Sequence, residues 1–361
     1  MKNLMILFAV FILFFSCTKE EKSQKTKEPD PKKDQQSVNG KIDFVGSIAL
    51  SEGPHQLLID DNNLYAKRDN QIFLFSLNNP QVPQQQNKYT QTYNKNFGKM
   101  TFHNDKLYVC NIDEKAVYVF DEDLNFEVKY TFSSSNLKPN ILLIDDDNNF
   151  WVGGSNGANG IVAKCTLSAN ILNIDKEWQH TSAQSNFEWL EEEDGYILAT
   201  NALGEFITFK QSNFPSTATT ITYTNESGHE KWGKSFVTVN DYAYWANWGA
   251  GIATVDISNP FLISVTKIIS NSSFKNQFAS AEGTNAYDVA YNEKHDYICV
   301  ANGWSGVLLV KPNQSDKVDD FLDPQYFQNM SIATKEDYIY TGNISGGMSG
   351  DLKGIKIFKL K

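Results

Sequence analysis

Arginine is almost absent from this chain of 361 residues, because Arg68 is the only one. Basic residues number 32 against 43 acidic residues, which gives a net charge of −11. Nucleic-acid binders take their affinity from lysine and arginine contacts to phosphates, so the composition excludes that class. It also excludes an arginine cluster that would hold phosphates or sugar acids by paired hydrogen bonds, and with it a sialidase site.

Catalytic and cofactor motifs are also missing. The chain has no Gly-Lys-Ser/Thr phosphate loop, no Gly-x-Ser-x-Gly elbow and no Cys-x-x-Cys-His haem site. Its five histidines lack the His-x-His or i, i+4 spacing of metal ligands. Cys110, Cys165 and Cys299 lie in apolar runs, which favours small buried side chains. The acidic run 145–149 lacks the Gly and Glu of a calcium loop, which favours a hairpin turn. We expect no cofactor and no metal.

The N-terminus resembles the signal peptide of a bacterial lipoprotein. The apolar run Leu4–Phe15 follows Lys2 and is too short to span a bilayer. Ser16 and Cys17 end it in a way similar to the lipobox, although Phe14 stands where Leu is preferred. The resemblance implies a signal peptide over the first 16 residues and acyl chains on the cysteine that anchor the protein to a membrane. A secretory signal with an incidental cysteine is the alternative.

Residues 17–41 form the predicted lipidated cysteine and tether. They are rich in Lys, Glu, Gln, Ser, Asp and Pro, and disorder is expected because they cannot bury enough apolar surface. Lys19, Glu20 and Glu21 resemble the export signal of Bacteroidota lipoproteins, a lysine followed by two acids. That resemblance implies the outer face of the bacterial outer membrane, hence the cell surface. The periplasmic face is the alternative.

The sequence repeats from Ile42 onward. A pair of aromatic or aliphatic residues recurs after an acidic or Asn-rich turn about every 46 residues, a period typical of a propeller blade. The pairs begin at Leu64, Leu107, Phe150, Tyr196, Tyr244, Tyr297 and Tyr338. Each copy has the alternation and turn residues of short strands.

The two ends of the repeat region predict how the ring closes. The last copy stops at Lys361 after three strands, and an extra strand, Lys41–Ala49, precedes the first copy. We therefore predict an all-β fold over residues 42–361. It is a seven-bladed β-propeller of four-stranded blades, closed by the N-terminal strand joining the C-terminal blade. A ring of six or eight blades and an open β-solenoid are the alternatives.

Residues 247–260 resemble the repeat of the LVIVD propeller family. They combine a Gly-rich turn, an aliphatic run ending in Val-Asp, and the tail Ile-Ser-Asn-Pro. Residues 75–80 keep part of the tail, and residues 302–310 keep the front. The resemblance implies a propeller and a surface or secreted protein, and it brings no assigned activity.

The long loops of the predicted ring lie on one face, around its channel. Side chains in and beside these loops are the candidate ligand contacts: Trp248, Trp304, Trp232, Phe274, Tyr326, His55 and His229. Such rings suit a sugar or a protein anchor, whereas packing between blades is the alternative. We expect a binding or scaffolding module for a protein or glycan ligand. A hydrolase or lyase acting on a polysaccharide or ester, and a structural partner in a membrane complex, are the alternatives.

Overall fold

The computed structural model describes eleven parts of the chain: 37–91, 96–134, 136–183, 185–216, 218–223, 232–278, 284–303, 306–312, 317–322, 328–344 and 353–361. The predictions for Cys17, Lys19, Glu20, Glu21, Trp304, Tyr326 and His229 lie outside these residues. Within them, strands dominate, and no helix is long and apolar enough to cross a bilayer.

The strands are arranged as successive antiparallel meanders. The first two meanders are β2 (Gln56–Asp60), β3 (Asn63–Arg68), β4 (Gln71–Ser76), β5 (Gln84–Thr90), and β6 (Phe97–His103), β7 (Lys106–Asn111), β8 (Ala116–Asp121), β9 (Phe126–Phe132). The next two are β10 (Lys138–Ile144), β11 (Phe150–Ser155), β12 (Asn159–Ser168), β13 (Ile171–Ala183), and β14 (Phe187–Glu193), β15 (Tyr196–Asn201), β16 (Phe206–Lys210), β17 (Ala218–Ile221).

The remaining meanders continue the pattern and include one short helix. They comprise β18 (Phe236–Val239), β19 (Tyr242–Ala246), β20 (Ile252–Asp256), β21 (Ser264–Ile269), α1 (Asn271–Gln277), and β22 (Ala286–Asn292), β23 (Tyr297–Asn302), β24 (Val307–Val310), β25 (Asp320–Leu322). The last is β26 (Asn329–Lys335), β27 (Tyr338–Asn343) and β28 (Gly354–Leu360).

The N-terminal strand completes the last meander. β1 (Ile42–Ala49) pairs antiparallel with β28, so the sheet order is β1-β28-β27-β26. The pairing predicted from the chain ends is therefore present. A two-residue parallel contact between β9 and β13 also joins two meanders into one eight-stranded sheet, and every other sheet of the described residues has four strands.

Asx residues make the tight turns between the first and second strands. Several of these turns hold a residue in the left-handed region, where Asn and Asp are tolerated better than most side chains. The residues and their φ angles are Asp61 (44°), Asn104 (47°), Asn148 (61°), Asp194 (49°), Asn240 (53°) and Asp296 (54°). The left-handed backbone conformation thus explains part of the preference for Asp and Asn in these turns of the repeat.

Successive meanders are hydrogen-bonded to one another around a circle, at or beside their first strands, here called the inner strands. The inner strands are β2, β6, β10, β14, β18, β22 and β26. Each bridging hydrogen bond joins a polar side chain of one meander to the backbone or to a side chain of a neighbouring meander. These bonds are Gln56 to Met100, Thr101 to Leu142, Asn140 to Phe187, Thr200 to Lys234, Ser235 to Asp288, Ile332 to Asp288, and Ser331 to Pro54. The last bond connects β26 back to the start of β2, so the circle is closed.

The core lies between neighbouring sheets. The aromatic residues of the repeat are there, and Tyr65, Trp151, Tyr244, Trp245 and Tyr340 are among the largest fully buried side chains. The thiols of Cys110, Cys165 and Cys299 are buried and free, and burial raises the pKa of each. The prediction that these cysteines are small buried residues is confirmed.

Candidate ligand-binding site

A β-bulge recurs near the start of the inner strands. The pairing register shifts between Phe97 and Met100, Pro139 and Ile141, Phe187 and Trp189, Ala286 and Asp288, and Asn329 and Ser331. A bulge bends its strand and re-aims the extra side chain. The bulged positions include Lys99, Asn140, Glu188 and Tyr287, so polar and aromatic side chains collect at one end of the ring. We call this end the mouth, and we define it by His55, Lys67, Lys99, Glu188, Trp232, Lys234, Trp248 and Tyr287.

Aromatic side chains form one side of the mouth. The indoles of Trp232 and Trp248 meet edge to face, with ring centroids 6.1 Å apart. Trp248 donates from Nε1 to the hydroxyl of Tyr287 at 2.9 Å, and the ammonium of Lys234 lies 3.8 Å from the ring centroid of Trp232. Trp232 is 40% exposed and makes a long hydrogen bond of 3.4 Å to Glu188. The sequence predicted Trp232 and Trp248 as ligand contacts, and the structure brings them together.

Lysine side chains also lie at the mouth. Lys67 is 6% exposed and donates from Nζ to the carbonyl of Phe97 at 3.2 Å. The Nζ of Lys99 lies 5.6 Å from the ring centroid of Trp189. The ion pairs found between described residues include neither these two lysines nor Lys234. Among the described residues, no carboxylate therefore lies within 4 Å of these three ammonium groups.

Burial and the nearby charge of Lys99 lower the pKa values of Lys67 and Lys234. Burial, reinforced by the charge of Lys99, lowers the pKa of Lys67 to about 7. Burial also lowers the pKa of Lys234 to about 8, with Lys99 adding to the effect and Glu188 opposing it. Desolvation, followed by the charge of Lys67, lowers the pKa of His55, although its side chain is accessible to water.

The charge of Lys99 acts on groups from several meanders. It acts on His55 and Lys67 of the first meander, on Lys234 beside β18, and on Asp288 of β22. These groups come from different sides of the circle, and charge effects of this kind are short-ranged. The ammonium of Lys99 is therefore the central charge of the mouth.

The single arginine does not add to this positive charge. Arg68 forms ion pairs with Glu52 and, at 3.0 Å, with Asp69. Asp288 is buried and accepts hydrogen bonds from Ser235 and from the backbone of Ile332, and burial raises its pKa. The lysines therefore dominate the charge of the mouth in a chain that is acidic as a whole.

The other described candidates have different positions. Phe274 has no exposed surface and packs on Phe278 and Phe321, with ring centroids 5.6 and 5.5 Å away. A ring without exposed surface cannot stack on a ligand, so the prediction for Phe274 is corrected to a core residue. His55 lies at the mouth, and its backbone N–H bonds to the carbonyl of Lys67 at 2.9 Å. The Nε2 of His180 lies 2.9 Å from a carboxylate oxygen of Glu205.

Sequence reasoning missed the lysines, although the repeat contains a signal for one of them, Lys67. The second strands end in a small residue and a buried Asn, as in Thr200-Asn201, Ala246-Asn247, Ala301-Asn302 and Gly342-Asn343. The first copy has Lys67-Arg68 at these two positions. Lys67 is a large cation at a position that holds a small residue in those other copies of the repeat. Such a difference indicates that the first copy has a role of its own. Nothing comparable marks Lys99, because a bulge decides where it lies.

The opposite end of the ring has an acidic cleft. It measures about 570 Å³ and is lined by Asp146 and the run Glu191–Asp194. Burial raises the pKa of Glu191 to about 7, against hydrogen bonds from Trp189 and Thr238. Asp145 accepts from Asn149 and Trp151, so its oxygens close the hairpin turn. No cluster of His, Cys, Asp or Glu in the described ranges could hold a metal ion.

Comparisons with known proteins identify the architecture. No family model matches the sequence, and no curated protein matches it. Among solved structures, virginiamycin B lyase from Staphylococcus aureus aligns with TM-score 0.63 and 11% identity over 89% of this chain and 99% of that chain. The Cps50 (Swd1) β-propeller domain of Myceliophteria thermophila aligns with TM-score 0.63 and 9% identity over 89% and 100%.

A third match is part of a larger protein. Raptor from Chaetomium thermophilum aligns with TM-score 0.65 and 10% identity over 88% of this chain and 29% of that chain. Identities this low establish the fold alone. The chain is a β-propeller. The predicted all-β propeller fold is thus confirmed.

Proposed function

We propose that this propeller is a binding module that takes a glycan or a protein ligand at the mouth. The observation that carries the proposal is the contact between an exposed indole, Trp232, and the ammonium of Lys234, with Trp248 and Tyr287 fixed behind them. The circle of bridging hydrogen bonds holds these side chains in place before a ligand arrives. Such preorganisation reduces the entropic cost of binding.

Replacement of the two indoles tests this proposal. Trp232→Ala and Trp248→Ala should each weaken ligand capture at least tenfold while the melting temperature changes little, because both side chains are partly exposed. Phe261→Ala is the matched control, since Phe261 is 39% exposed and belongs to the turn between β20 and β21, at the other end of the same sheet. If the melting temperature collapses instead, the indoles are packing residues and the ligand site is elsewhere.

We also propose that the ring has seven blades. The eight-stranded sheet separates into two meanders at its two-residue parallel contact, and the bridging hydrogen bonds connect seven meanders in a circle. The resemblance of residues 247–260 to the LVIVD repeat is consistent with this architecture. A crystal structure of the protein checks the count, and a ring of six or eight blades would refute it.

The membrane attachment remains a proposal from the sequence. Cys17 would carry the acyl chains, and Lys19, Glu20 and Glu21 would direct the protein to the surface of the bacterial outer membrane. Metabolic labelling with a palmitate analogue should mark the wild type and leave Cys17→Ser unlabelled. Protease treatment of intact cells should degrade the propeller, and a protected propeller would place it on the periplasmic face.

A hydrolase or lyase acting on a polysaccharide or ester is the second candidate function. It is favoured by one observation, the imidazole of His55 with its lowered pKa at the same mouth as Glu188. A neutral imidazole is a general base at neutral pH. Incubation of the protein with polysaccharides and esters should release products in the wild type and not in His55→Ala or Glu188→Gln. Ligand binding without product would exclude this candidate.

A further inference from the structure

We propose that the ligand of the mouth is an anionic saccharide, whose acidic group is received by Lys67, Lys99 and Lys234. This inference rests on the proposed binding function and specifies its ligand class. The first observation is the distribution of charge along the chain. Residues 1–41 contain eight lysines and five acidic residues, so residues 42–361 have 24 basic against 38 acidic groups, a net charge of −14. Three lysines that form no ion pair with any described residue are unexpected in such a ring.

The lysines make an incomplete electrostatic site. Each ammonium has three donors, and Lys67 uses one of them on the carbonyl of Phe97. Lys99, in the bulge that follows Phe97, adds a third charge, which repels Lys67 and Lys234. An anion that enters the mouth removes this repulsion and accepts the remaining hydrogen bonds. Asp69, Glu188 and Asp288 attract these lysines but form no ion pair with them among the described residues. The three like charges therefore leave a place for an anionic ligand.

The neighbouring aromatic rings select a saccharide. Lys234 covers one part of the Trp232 ring while 40% of that residue stays exposed. A pyranose with a carboxylate or a sulfate carries a flat apolar face and an anionic group on one small unit, so it contacts the indole and the ammonium together. An acidic peptide presents its carboxylates on flexible stems with no flat ring beside them.

The arrangement also specifies the size of the group that is recognised. Lys67 is 6% exposed, so an anion reaches it only from within the mouth. A carboxylate or sulfate at the edge of a sugar is small enough to enter. A broad acidic protein surface would contact Trp232 and Lys234 without reaching Lys67. The expected ligand is therefore a uronate-containing or sulfated chain, bound by one of its units.

Paired saccharides test this inference with the full-length protein in mild detergent. Calorimetry would compare oligogalacturonate with its methyl ester, chondroitin sulfate with unsulfated chondroitin, and polyglutamate with all of them. The two saccharide pairs distinguish a carboxylate ligand from a sulfate ligand. We expect binding of at least one acidic saccharide, with affinity falling about tenfold in Lys99→Met and in Lys234→Met. Lys99→Arg should restore most of the affinity, and Lys176→Met, an exposed lysine of β13, is the matched control.

The pH dependence gives a second readout. Binding should weaken as pH rises from 6.5 to 9, because the lysines must be charged to hold the anion. Equal binding of the acid and its methyl ester, or of a neutral saccharide, with full affinity in Lys99→Met would overturn the inference and leave the binding function intact. Binding of polyglutamate alone would overturn it in favour of a protein partner. Failure of every acidic saccharide to bind would also overturn the inference, whereas the binding function is tested separately by ligand capture in Trp232→Ala and Trp248→Ala.

Discussion

Replacement of Lys67 by Met should stabilise the protein, and more so at low pH. The pKa of Lys67 is lowered from 10.5 to about 7 in the folded state. Between these two values the unfolded chain binds more protons than the folded chain, so the free energy of unfolding rises with pH. Below pH 7 the full cost of the buried charge is present. It amounts to about 4 to 5 kcal/mol, at about 1.4 kcal/mol for each unit of pKa shift.

The net gain in Lys67→Met is smaller than this cost. The variant also loses the hydrogen bond to the carbonyl of Phe97, which is worth about 1.5 to 3 kcal/mol for a charged donor. We therefore expect a gain of about 2 kcal/mol at pH 6. By pH 9 most of the charge in the folded wild type is gone, and the gain should have fallen by about 2 to 3 kcal/mol.

Urea unfolding followed by tryptophan fluorescence at pH 6 and pH 9 measures both quantities. Lys176→Met, at an exposed position, should leave the free energy of unfolding unchanged at both pH values. A difference between wild type and Lys67→Met that does not change with pH would refute the reasoning. It would mean that Lys67 keeps an ordinary pKa and that the mouth is more hydrated than its geometry indicates.

Three further predictions concern the ring itself. Gly53→Ala should destabilise the protein by several kcal/mol in thermal unfolding, because the added Cβ would lie 1.8 Å from the carbonyl oxygen of Asn343. Gly46→Ala is the control and should be neutral, because its Cβ would lie 3.7 Å from the nearest atom, the carbonyl oxygen of Gln81. As the pH rises from 4.5 to 7, the free energy of unfolding of the wild type should fall, because the folded protein binds more protons at Glu191 than the unfolded chain does. Glu191→Gln should remove this fall. Parallel curves of the free energy of unfolding against pH for both proteins would contradict the prediction. Asp288→Ala should lower the free energy of unfolding in urea by about 3 kcal/mol, because it removes the acceptor that joins residues of three meanders. An unchanged unfolding midpoint would show that these bridging hydrogen bonds are dispensable.

The sequence predicted most of the fold because the fold is a repeat. The period of the aromatic pairs gives the meanders, and the unequal chain ends give the pairing of β1 with β28. The Asx turns could be located because left-handed residues favour Asn and Asp. The parallel contact between β9 and β13 has no comparable signal, since it joins the outer edges of two meanders through only two residue pairs.

The site was less predictable, and the reasons differ between residues. Trp232 and Trp248 were found because aromatic residues in polar loops stand out. Phe274 was misassigned because its loop contains a short helix that buries the ring against Phe278 and Phe321. Lys99 was missed because the bulge at the start of β6 determines where its ammonium lies, and a bulge leaves no clear trace in a strand of seven residues.

Hydrogen–deuterium exchange with an acidic oligosaccharide tests the central claim most directly. If the mouth binds the ligand, the added saccharide should slow exchange in residues 53–57, 97–101 and 232–236, which carry the lysine and indole side chains or adjoin them. Exchange in the turn 145–149 at the opposite end should not change. Protection of that turn or of the outer strands, with none at the mouth, would contradict the account.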